Sequence, residues 1–65
     1  MPWTAAYYPV AMKHLPPVTR EKAVEIANAL LAGGYPEGQA IRIAIARARQ
    51  WAQHHGHGGA DAADR

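Results

Sequence analysis

The apolar positions of this chain fall into two helical stripes separated by a glycine pair. Stepping about 100° per residue across positions 20–32 gathers Ala23, Val24, Ala27, Leu30 and Leu31 on one face, with Ile26 at its edge. Glu21, Lys22 and Glu25 fall on the opposite face. Across positions 40–52 the second stripe holds Ala40, Ile41, Ala44, Ile45, Ala48, Trp51 and Ala52. Ala40, Ala44 and Ala48 recur at four-residue spacing, so the backbone of the first helix can approach the second closely there. Arg42, Arg49, Gln50 and Gln53 point away from the stripe, Arg47 flanks it, and Ile43 sits near the solvent edge. Residues 41–47 also alternate with the period of a strand. The length of the segment and its recurring alanines favour helix, and a lone strand would have no partner in the chain.

Breaks in these patterns set the expected ends. Gly33 or Gly34 supplies a left-handed residue to close the first helix, and Pro36 with Glu37 opens the second, placing the turn at 33–37. Thr19 is the expected N-cap of the first helix, with Glu21 at the positive end of its dipole and Lys22 where a capping box would need an acid. Ahead of it, residues 1–17 carry Pro2, Trp3, Tyr7, Tyr8, Pro9, Pro16 and Pro17. Pro9 suits the first position of a short helix over 10–14, which the proline pair stops; Leu15, before a proline, is expected to be extended. Disordered arms are poor in aromatics, so this one is expected to lay its apolar side chains over the hairpin. Beyond His54 nothing large remains to be buried. The fold class implied is all-α: a two-helix antiparallel hairpin with a short N-terminal helical arm packed on it, one domain over residues 1–54, and a disordered tail over 55–65. The expected framework is Trp3, Leu15, Leu30, Leu31, Gly34, Ala44, Ile45, Ala48 and Trp51.

Composition narrows the picture further. A chain of 65 residues buries only about 60% of the surface its unfolded form exposes. With no cysteine, neither disulfides nor thiolate metal sites can make up the difference, which leaves packing, self-association or a partner. The opening residues lack a basic region followed by an apolar run, and no stretch approaches the length of a bilayer span, so the expected location is cytoplasmic, without membrane insertion. The formal net charge is +2; the tail is net acidic, which makes the rest of the chain the basic part. That excess is too small to imply nucleic acid by itself.

Candidate chemistry is sparse. His54, His55 and His57 could ligate a metal, but a structural site needs four rigid ligands, and a solvated tail is the preferred reading; no metal and no cofactor are expected. Arg42, Arg47 and Arg49, with Arg20 and Lys22, offer a face for a protein partner or for phosphates, with Trp51 able to stack on a base. Glu21, Glu25 and Glu37 dilute that field and Trp51 lies in the apolar stripe, so a solvated face with Trp51 in the core is preferred. A helix-turn-helix would require a third supporting helix and a polar reading surface. There is neither an acid–base pair nor a serine or cysteine nucleophile, so an enzyme is not expected. Asn28, polar at the margin of the buried face, is expected to satisfy a local backbone group, such as one at the hairpin corner.

The segments Met1-Pro2-Trp3, Tyr8-Pro9, Met12-Lys13, Ala27-Asn28-Ala29, Gly34-Tyr35, Glu37-Gly38, Ala40-Ile41 and Trp51-Ala52 resemble those of small uncharacterised bacterial proteins, some associated with general stress responses. In some of these a similar segment precedes a second small domain. More distantly, Leu15-Pro16, Ile26, Asn28, Leu30 and the segment from Ala40 through Ile43-Ala44 to Ala48 are similar to ChaB, a regulator of cation transport. ChaB's second-helix tryptophan motif and charged mid-region are absent here. The first resemblance supplies no chemistry, and the second implies a compact helical regulator. The leading expectation is a non-enzymatic bacterial accessory or regulatory protein working through an unknown protein partner or as a homodimer, suggested by Ile26, Ile43 and some of Trp3, Tyr7 and Tyr8, which two helices and an arm can hardly bury. A nucleic-acid-binding module and a ChaB-like transport regulator are the alternatives.

Overall fold

The computed structural model describes residues 2–56, and the side chains among them as far as His54. The fold is all-helical: a 3₁₀ turn at Val10–Met12, helix α1 at Pro17–Ala32, helix α2 at Glu37–Trp51, and a π-helical turn at Ala52–Gly56 that continues α2. The two long helices pack together, and Ala23, Ala27, Ala44 and Ala48 share one buried cluster with Val24. Ala40 is fully buried as well. The four-residue alanine spacing of the second stripe thus faces α1. The expected tail over 55–65 begins where side chains cease to be described and lies mostly beyond the described residues.

Both helices begin on proline, with no side-chain cap. Pro16 is extended at the N-cap of α1 and Pro17 occupies its first turn; Pro36 is the extended N-cap of α2. A proline's fixed φ suits a helix start, and its missing amide would have no partner there. This displaces two expectations. Thr19 is not a cap but a buried residue inside the first turn, and Glu21 lies beyond that turn, where the dipole has little effect. Pro9 likewise precedes the 3₁₀ turn rather than opening it, and the turn is shorter than expected.

The corner between the helices is a Schellman turn. Gly34 has φ +99°, the Gly34 amide donates to the Leu31 carbonyl at 3.0 Å, and the Tyr35 amide donates to the Leu30 carbonyl at 3.1 Å. These two bonds satisfy carbonyls that the helix end would otherwise leave unpaired. Gly33, at φ −83°, is not the left-handed residue.

Large core side chains come from the arm. Trp3, Met12 and Leu15 are buried, with Met12 fully enclosed, and Tyr8, Ile26, Leu31, Ile41 and Ile45 pack partly buried around them. Leu30 is half-buried. Arg20 staples the arm to α1: its Nη1 donates to the carbonyls of Lys13 at 3.3 Å and Leu15 at 3.1 Å, and its guanidinium lies 4.7 Å from the centre of the Tyr8 ring. A Cβ added at Gly34 or Gly38 would meet nothing within 4 Å, so alanine at either site tests backbone conformation alone. Gly34→Ala should cost about 1 kcal/mol by forcing a Cβ into the left-handed region, lowering the thermal midpoint by about 4–8 °C. Gly38→Ala, in the first turn of α2, should raise it slightly; thermal melts followed by circular dichroism check both.

Candidate functional site

Asn28 lies on the flank of α1 beside Val24 and Leu31, where the helix period turns it towards the arm. Its Nδ2 donates to the Trp3 carbonyl at 2.9 Å, and the Trp3 amide donates to its Oδ1 at 3.3 Å. Asn28 and Trp3 are 8% and 7% exposed, so the pair is shielded from water. A carboxamide presents an N–H donor and a carbonyl acceptor side by side, which matches the paired N–H and C=O of one residue. Asn28 therefore clamps the arm, not the hairpin corner as expected. The next turn of the arm is held locally: the Thr4 amide donates to the Tyr7 carbonyl at 2.7 Å, and the Tyr7 amide donates to the Thr4 hydroxyl at 3.0 Å.

Where the clamped arm runs beside α1, the two leave an open groove of about 960 Å³. Trp3, Val24, Ala29 and Leu31 supply its apolar surface, and Glu21 and Glu25 stand at one end. Glu25 pairs with Lys22 at 3.3 Å on the exposed surface. The groove was not legible as a stripe because it arises from two segments 25 residues apart; the one signal for it was a polar Asn28 among buried apolar neighbours.

The five cations read as one face are divided by the fold. Arg42, Arg47 and Arg49 are exposed on α2. Arg20 is turned to the arm's carbonyls, and Lys22 pairs with Glu25 and stands 5.3 Å from the centre of the Trp51 ring. Trp51 is half-buried rather than central to the core: the core ends at Ala48, and the ring covers the side of α1 near its start. Of the side chains expected to stay uncovered, Tyr7 is exposed, Tyr8, Ile26 and Ile43 are half-buried and Trp3 is buried; Val10, Val18 and Tyr35 add to the exposed apolar surface. Of the histidine cluster, the His54 side chain is described and exposed; His57 and the His55 side chain lie outside the described residues. Among the described residues no group of three or more His, Asp or Glu side chains could hold a metal, and no helix is long and apolar enough to cross a membrane.

The chain is similar to the uncharacterised protein YdaT of Bacillus subtilis (strain 168), with 47% identity over 53 residues. The match takes in 82% of this chain but 35% of YdaT, so the chain spans about a third of that relative's length. No family model and no solved structure matches the chain.

The clamp yields a direct test. Asn28→Ala removes two buried hydrogen bonds and leaves both Trp3 backbone groups to find other partners, a loss of about 2 kcal/mol. In a Trp51→Phe background the emission of Trp3 should shift to the red as the arm detaches, with helicity largely kept. Unchanged emission would show that the arm is held by its apolar contacts alone.

Proposed function

We infer that this is a non-enzymatic accessory or regulatory protein of the bacterial cytoplasm, acting through protein–protein contacts. The observation that carries this reading is the groove beside α1. It is an open, mostly apolar concavity in a very small domain, and apolar surface gathered in one place suits a contact with another protein. Its two carboxylates stand at the rim without a histidine in the lining, and the Thr4 hydroxyl there is engaged with the Ala6 and Tyr7 amides, which suits recognition better than catalysis. A link to stress responses rests on the sequence resemblance. Regulation of cation transport rests on the more distant likeness to ChaB, whose matching polar position, Asn28, is occupied here in holding the arm.

A second reading, binding of nucleic acid, is favoured by Arg42, Arg47 and Arg49 exposed along α2. It would use that helix alone, since Arg20 and Lys22 are engaged elsewhere. Three neutralised phosphates would give a slope of log affinity on log salt of about −2.7, and the double variant Arg42→Ala, Arg49→Ala would flatten it by about 1.8. An affinity for DNA and RNA left unchanged by that variant would end the second reading.

The protein-contact reading is checked by a photo-crosslinking amino acid placed in living cells at Ala29 in the groove or at Ala46 on the outer side of α2, both exposed. Protein adducts are expected from Ala29. Adducts from neither position, with the chain folded and expressed, would refute contact with a protein.

A further inference from the structure

We propose that the groove between the arm and α1 receives a helix of a partner protein, apolar along one side and carrying lysine or arginine at one end that meets Glu21 and Glu25. The proposal rests on the protein-contact reading above and names the chemistry of the partner.

The dimensions fit such an occupant. From Glu21 to Ala32 the groove follows α1 for about 17 Å, or three turns. Val24 and Trp3 are buried at its floor and Leu31 is half-buried, while Ala29 is small enough to let a second helix come close. A helix seated there would give α1 an apolar neighbour on the side that α2 does not cover.

Charge decides what kind of helix it is. Glu21, Glu25 and Glu37 are the carboxylates among the described residues, and the first two stand together at one end of the groove. The arginines Arg42, Arg47 and Arg49 lie on the other helix. A cationic end is therefore drawn to the Glu21 end of the groove and repelled from α2, whereas an anionic helix, a nucleic acid or an anionic membrane is drawn to α2 instead. The Lys22–Glu25 pair does not block the site. It is an exposed contact of a kind that holds weakly, and the Lys22 ammonium already has the Trp51 ring as a second neighbour.

The test uses the full chain, labelled for amide resonances, and two synthetic helical peptides of about four turns. Both carry the same leucine and alanine stripe; one ends in lysines and the other in glutamates. The lysine-ended peptide should shift the amides of Val24, Ala29 and Leu31 and bind about tenfold more tightly than its counterpart, a difference of about 1.4 kcal/mol. The double variant Glu21→Lys, Glu25→Lys replaces two exposed side chains, leaves the fold intact by circular dichroism, and should reverse that order. Equal binding of the two peptides, or shifts confined to α2, would overturn the proposal while leaving the protein-contact reading standing. Binding of neither peptide would also overturn it, and the absence of crosslinks from Ala29 and Ala46 would then remove the broader reading as well.

Discussion

The seam between α1 and α2 is built from alanines, and the rest of the structure follows from that constraint. Ala23 and Ala27 face Ala44 and Ala48 within one buried cluster, which lets two backbones come close but buries little side chain per residue. A methyl group removed from water is worth about 0.8 kcal/mol, a fraction of what a buried leucine contributes. Two helices joined on alanine alone would be a marginal structure. The missing apolar area comes from outside the hairpin, from Trp3, Met12 and Leu15. The arm is thus part of the core, and the polar contacts that hold it, Asn28 to the Trp3 backbone and Arg20 to the carbonyls of Lys13 and Leu15, are part of what makes this chain a domain.

The helices, the glycine corner and the inward alanine stripe were legible in the sequence because they are local: each follows from period, propensity or a φ that glycine alone takes readily. What was misread is instructive. Thr19 looks like a cap because threonine caps often, yet the Pro16-Pro17 pair that stops the arm is also a start signal, and it moves the helix back by three residues. Trp51 looked central on a helical wheel, but a wheel does not know where the partner helix ends. Arg20 and Lys22 looked like part of a basic face because charge was counted by sequence; in three dimensions one faces carbonyls and the other an acid and a ring. The groove could not be read from either of its walls alone.

The resulting surface is polarised. α2 presents arginines, α1 presents Glu21 and Glu25 beside an apolar channel, and the small net charge of the chain conceals that separation. A module of this size thus carries two surfaces of opposite electrostatic character. The similarity to about a third of YdaT shows the same segment carried within a chain nearly three times as long as the match.

The clamp also joins distant parts of the chain. Trp3 and Asn28 are separated by 25 residues, while the contacts between α1 and α2 need only the short glycine turn to form. The ends of a longer loop meet against a greater entropy of closure, so bringing the arm to α1 costs more chain entropy than closing the glycine corner. The paired hydrogen bonds of Asn28 thus close a loop of 25 residues onto the face of α1 that the arm covers.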